Sequence, residues 1–273
     1  MIVLSLHVWY GFYLLERKVP NMIKQVYMFK VGEHGEVPGA EVFWMKEFNS
    51  WIRLSFYSFL VESEDNYTLI NTGLARDLTL RNKFLREWAG SDRCKFSVKD
   101  EEKIENHLKK INLTPDDISQ IIITPVQDYT IGNIDLFKKA KLIFSRRGWF
   151  EDVVNPSPSP FLNRDVYLPK YVREYLFEEA WNRIVLTDDQ KIGDIFLKWT
   201  GCHHRSSMSI ILDNKICITD AAFVSKNLET KTPIGIAEDI YECIRAYDYL
   251  QEECRIIIPA YDPENIVKYG EKL

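Results

Sequence analysis

The chain has 273 residues, 46% apolar and 27% charged, a globular composition that points to one large α/β domain. Its net charge of −5 argues against a general nucleic-acid binder, which needs a basic face to neutralise phosphates. The five cysteines, Cys94, Cys202, Cys217, Cys243 and Cys254, contain no C-x-x-C pair, so they read as reduced thiols of a cytoplasmic protein and not as a disulfide frame or zinc ribbon.

In chain order, residues 1–15 (MIVLSLHVWYGFYLL) are strongly apolar but too short for a comfortable membrane span. They lack the basic n-region and small-residue cleavage site of a signal peptide. Residues 1–21 read as an N-terminal extension: an added helix, or an over-long start ahead of Met22 or Met28, with a membrane-surface role as a third reading. A homodimer seated on this segment is a further expectation, and residues 22–273 read as a single domain. Residues 25–31 (QVYMFKV) predict the first strand, and residues 54–62 and 67–72 predict two more joined by a polar turn. The stretch Leu69-Ile70-Asn71-Thr72-Gly73 closes the last of these, with Gly73 suited to a sharp turn. A helix over 77–88 follows, with Leu78, Phe84, Leu85 and Trp88 near one face.

A second helix is predicted over 101–111. Thr114 and Pro115 then read as an N-cap and N1 proline with acids in the first turn. The β-branched run 121–123 predicts a buried strand, stopped at Thr124-Pro125 because proline lacks an N–H and restricts its predecessor. Residues 140–145 predict another strand, 155–160 a proline-rich crossing loop, as a lid or a passive linker, and 170–181 an amphipathic helix with Val172, Leu176, Phe177 and Ala180 inward. Strands over 183–187 and 194–200 lead to the loop Gly201-Cys-His-His-Arg-Ser-Ser207, and a hairpin turns on Asp213-Asn214. A long helix over 232–253, opened by Thr232 and Pro233, precedes a strand over 255–258 and a terminal helix.

A strand that ends in a polar loop, here Gln127-Asp128-Tyr129-Thr130, is where many α/β folds keep their chemistry. Together with Leu113-Thr-Pro-Asp-Asp-Ile118, the Leu69–Gly73 turn and the basic-aromatic segment 145–152, this strand and loop resemble the metallo-β-lactamase superfamily. The likeness is to its lactonase-like (N-acyl homoserine lactonase-like) branch and runs from Gln25 to the C-terminus. It implies an α+β fold, a four-layer αββα sandwich.

In that family the loop reads His-x-His-x-Asp-His and holds two metal ions. With Gly132-Asn133 kept in register, Asp128 retains the family aspartate, while Thr124, Val126 and Tyr129 stand where the histidines would be. A one-residue shift also loses every histidine. Ser207 falls at the next ligand histidine and His203 at an earlier, non-ligand one. Asp220 retains the bridging aspartate, Tyr261 replaces the last histidine, and Asn71 takes the aspartate place of the apolar-Asp-Thr-Gly turn.

A dizinc hydrolase needs several neutral imidazoles and a carboxylate to bind its metals and acidify a water. The resemblance therefore implies no metal cofactor here, the alternative being a single hard divalent ion on Asp128 and Asp220. Catalytic candidates are Asp128, Asp220, His203 and His204; ligand-binding candidates are Tyr129, Gln127, Arg205, Ser207 and Tyr261. Arg205 with its serines suits a carboxylate or phosphate. Tyr129 and Tyr261 are expected to fill the space of the lost imidazoles, their hydroxyls paired with Asp220 or Asp128. The leading expectation is a pseudoenzyme that binds a small molecule or a partner. The competing one is a divergent lactonase- or esterase-like hydrolase using the four catalytic candidates.

Overall fold

A computed structural model describes residues 23–64, 66–156 and 163–273. The N-terminal extension and most of the proline-rich loop lie outside the described residues. Seven strands form the first sheet. They are β1 (Ile23–Pro38), β2 (Trp51–Ser63), β3 (Tyr67–Ile70), β4 (Phe96–Ser97), β5 (Gln120–Ile122), β6 (Lys141–Ser145) and β7 (Ile184–Thr187), in the order β4-β1-β2-β3-β5-β6-β7. The second sheet contains β8 (Gln190–Ile192), β9 (Ile195–Trp199), β10 (Met208–Leu212), β11 (Ile216–Thr219) and β12 (Ile256–Pro259), in the order β12-β11-β10-β9-β8.

The layers follow from the two-residue period of a strand, which sends alternate side chains to opposite faces. Met28 and Phe59 of the first sheet meet Met208, Ile210 and Ile218 of the second, forming an apolar layer between the sheets. The next residues along, Phe29 and Leu60, pack outward beneath the helices. On the far side Ile211 and Cys217 pack on Leu250 of the helix Ile240–Glu253. Helix, sheet, sheet and helix therefore stack as the sequence leads one to expect. Among the described residues, no helix is long and apolar enough to cross a membrane.

What positions the site is the parallel run β3-β5-β6, with Leu69 paired to Ile121 and Ile121 to Leu142. Parallel strands deliver their carboxyl ends, and the loops that leave them, to one edge. Asn71–Ala75 and Thr124–Ile131 meet there, and the ends of β11 and β12 bring Asp220 and Tyr261 from the second sheet.

Two helices differ from expectation. The helix predicted over 232–253 begins only at Ile240, with Asp239 capping the amides of Tyr241 (2.8 Å) and Glu242 (3.0 Å). The segment before it is held out of the helix by its neighbours: Gly235 N donates to Glu41 O at 2.8 Å and Glu238 N to Cys202 O at 2.8 Å. Gly235 sits so close to Ala40 that an added Cβ would lie 1.6 Å from its carbonyl oxygen, so only glycine fits. The helix over 170–181 is α-helical only through Lys170–Glu174 and then widens into a π-helix, Tyr175–Glu179. That change of winding buries Tyr175 and Leu176 and leaves Phe177 exposed, contrary to the even 3.6-residue phase.

Candidate functional site

The loop after β5 is clamped by Asn71, whose φ of +63° turns its side chain back. Its Nδ2 donates to Thr124 O at 2.9 Å and its Oδ1 accepts from Thr124 N at 2.9 Å. The Thr124–Pro125 bond is cis. The Thr124 hydroxyl, in a family histidine position, joins the two sheets: it donates to Met208 O at 2.9 Å and accepts from Met208 N at 2.7 Å. Val126 N donates to Ser206 Oγ at 2.9 Å. Thr124 and Val126 are thus given over to loop-to-loop stitching.

The retained aspartates are both occupied. Asp128 forms a two-pronged ion pair with Arg81 of the helix Thr79–Ala89; Arg81 Nε donates to Oδ2 at 2.9 Å and Nη2 donates to Oδ1. Both side chains are 5% exposed or less. The guanidinium also stacks over Tyr167 at 4.5 Å and Phe96 at 5.2 Å. Burial pushes the Asp128 carboxyl upward, against the pull of the Arg81 charge. Asp220 Oδ2 accepts from the Ser207 hydroxyl and faces His203 Nδ1 at 3.3 Å. Burial, reinforced by the neighbouring His204, lowers His203 to about 4, so the imidazole is neutral. With Nδ1–H directed at Asp220, Nε2 keeps its lone pair.

The two tyrosines correct one expectation. Tyr129 and Tyr261 do fill the space, their rings edge to face at 6.0 Å, but the Tyr261 hydroxyl pairs with neither aspartate and lies against the Tyr129 hydroxyl instead. The ring is held edge-on by Phe223 (5.1 Å) and Phe56 (5.9 Å), and Asp220 spends Oδ2 on Ser207 and His203, its Oδ1 remaining without a partner. Burial raises both phenols well above their ordinary value.

Phe56, Tyr129 and Tyr261 form a partition. Behind it lies a cavity of about 10 Å³ that touches Thr124, Met208 and Asp220, scarcely room for one water. In front opens a cleft of about 550 Å³, within the range of small-molecule sites. The cleft is mostly apolar, with His34, Glu41, Arg81, His203, His204 and Glu238 as its polar features.

Of the candidates read from sequence, His203, His204, Tyr129 and Tyr261 line this cleft, while Asp128 and Asp220 stand behind Arg81 and the partition. Gln127 is buried with Oε1 unpaired, Ser207 is spent on Asp220, and Arg205 pairs with Glu151 at 2.9 Å while stacking over Trp199 at 4.7 Å. These three are not among the cleft-lining residues. Sequence reasoning missed Arg81, Glu41 and Trp88. The available signal for Arg81 was its place on the inward face set by Leu78 and Leu85, where an unpaired cation is untenable.

The residues present do not fit a dinuclear metal centre. Thr124, Val126, Ser207, Tyr129 and Tyr261 offer hydroxyls or nothing where imidazoles are needed, and a guanidinium already neutralises Asp128. Among the described residues, no group of three or more His, Cys, Asp or Glu side chains could share an ion.

By sequence, no protein-family model and no curated protein matches the chain. By structure, many solved proteins do. An N-acyl homoserine lactone hydrolase with N-hexanoyl-L-homoserine at its catalytic metal centre aligns at a TM-score of 0.74 and 18% identity, over 92% of this chain and 99% of that one. A mutant of B. thuringiensis AiiA, with N-decanoyl-L-homoserine bound at its active site, aligns at 0.73 and 19% identity, over 92% and 99%. A metal-dependent hydrolase of Staphylococcus aureus aligns at 0.65 and 16% identity, over 87% and 88%. At these identities the likeness fixes architecture and not activity. The chain has the metallo-β-lactamase fold, in the arrangement shared by the N-acyl homoserine lactonases.

Proposed function

We propose that this protein keeps the metallo-β-lactamase scaffold, has given up dizinc hydrolysis and binds a small molecule in the 550 Å³ cleft. The observation that carries the reading is the Arg81–Asp128 ion pair: the one loop aspartate that survives is saturated by an internal cation. The 10 Å³ cavity behind the tyrosines supports it, since two ions and a bridging water need far more room. Elemental analysis of the purified protein tests the proposal. Zinc, iron and manganese are expected well below one equivalent per chain, and near-stoichiometric metal overturns it. A cytoplasmic setting and a homodimer through residues 1–21 belong to the same reading. The five unpaired cysteines support the first; an oligomeric state unchanged on deleting 1–21 would count against the second.

A second reading has its own support in the neutral His203, oriented by Asp220 at the cleft wall, the arrangement of a general base. It predicts an esterase or lactonase activity that falls by about 10²-fold or more in Asp220→Ala, a typical worth of general-base catalysis, in a metal-free assay.

A further inference from the structure

The cleft-lining side of the helix Thr79–Ala89 carries Arg81, Phe84, Leu85 and Trp88, placing Trp88 seven residues, about 10 Å along the axis, from Arg81. Arg81 is the only lysine or arginine among the described lining residues, and its charge is matched by Asp128. His34 and His203, held by burial at about 3 and about 4, add no positive charge. The two acidic lining residues are Glu41 and Glu238. Glu238 meets His204 Nδ1 at 3.2 Å. Glu41 meets no cation among the described residues; its carboxylate accepts from the Trp88 indole N–H at 2.9 Å. The backbone of Glu41 is fixed by Gly235 and Ile236, whose amides donate to its carbonyl at 2.8 and 3.2 Å. Around it stand Phe84, stacked on Trp88 at 6.2 Å, and Tyr167, edge-on to Phe84 at 5.7 Å.

An uncompensated, half-buried carboxylate set among aromatic faces is the chemistry that receives an organic ammonium group, through a charge-assisted hydrogen bond and the negative ring faces. We propose that the cleft takes an organic cation, an amine on an apolar or aromatic body, with the ammonium on the Glu41 carboxylate oxygen that the Trp88 indole does not use and the body directed toward Tyr261. This rests on the cleft being a ligand site, and it excludes anions and disfavours neutral acyl compounds as preferred occupants. Burial raises Glu41 above the ordinary carboxylate range, as expected where a counter-charge has yet to arrive.

The test is calorimetric titration of the full-length protein with phenylpropylamine, phenylpropanol and phenylpropionate, which share one body and differ in charge. The amine is expected to bind about tenfold or more tighter than the alcohol, and the carboxylate weakest. In Glu41→Gln, which keeps an acceptor for the indole, the amine should lose most of that preference while the alcohol binds as before; thermal melting checks that the variant is folded. If the alcohol or carboxylate binds as tightly as the amine, or the preference survives Glu41→Gln, the cation assignment fails and the cleft reading stands. If none of the three binds, both fail.

Discussion

Arg81→Ala is expected to cost about 3–5 kcal/mol in denaturant unfolding, the range found when one partner of a buried ion pair is deleted. Asp128, 2% exposed at its side chain, would be left charged with nothing opposing its desolvation. The pH dependence has a definite sign. A carboxyl whose folded-state pKa stands above its unfolded value contributes stability that is complete below the unfolded value, about 3.9, and lost as pH rises through the folded one. Asp128 is already pushed up by burial with Arg81 present. Without the guanidinium the main opposing pull is gone and only the backbone N–H groups of Asp128 and Tyr129 remain against it, so the deficit of Arg81→Ala should shrink on acidification and grow toward neutral pH. Arg81→Met combined with Asp128→Leu should recover most of the loss, because an apolar pair replaces a buried charge pair at little net cost. A loss under about 1 kcal/mol in Arg81→Ala would mean the pair is weaker than its burial implies.

Tyr261→Ala should cost a comparable amount, about 3–5 kcal/mol, while Tyr261→Phe should stay within about 0.5 kcal/mol of the parent. The ring is 5% exposed and is held among Phe56, Tyr129, His203 and Phe223, so truncation opens a void that well-packed neighbours cannot close. The hydroxyl is a different matter. It is buried against the Tyr129 hydroxyl and pairs with neither aspartate, so removing it forfeits little more than a weak contact and relieves a desolvated group. Parallel thermal and denaturant unfolding of the two variants separates packing from polarity. A loss above about 1.5 kcal/mol in Tyr261→Phe would show that the hydroxyl has a partner in solution.

The strands were legible because their signals are local. The β-branched run ending at Thr124-Pro125, the apolar runs before and after the polar stretch 63–66 and the Asp213-Asn214 pair each name an element from a few residues. The late start of the helix at Ile240 was hidden because Thr232-Pro233 is a sound N-terminal signal, overridden by contacts to Glu41 and Cys202 more than thirty residues away. At the site, the missing histidines could be read position by position, but the contact of His203 with Asp220 could not. Nor could what took over from the metals. Arg81 lies 47 residues from Asp128 in sequence, and nothing in either neighbourhood announces the other. That the Tyr261 hydroxyl pairs with neither aspartate was equally hidden, since its fate depends on how Ser207 and His203 divide Asp220.

The internal guanidinium also sets what a metal centre on this scaffold would require. Reinstating a histidine at position 129, 207 or 261 one at a time would place each imidazole beside a carboxylate pair that is already spoken for. Building a cation-binding centre on this scaffold would run through the loss of Arg81, a step expected to cost about 3–5 kcal/mol in folding. A protein arranged in this way is held away from cation binding at Asp128 by its own folding thermodynamics, much as a ratchet is held by its pawl.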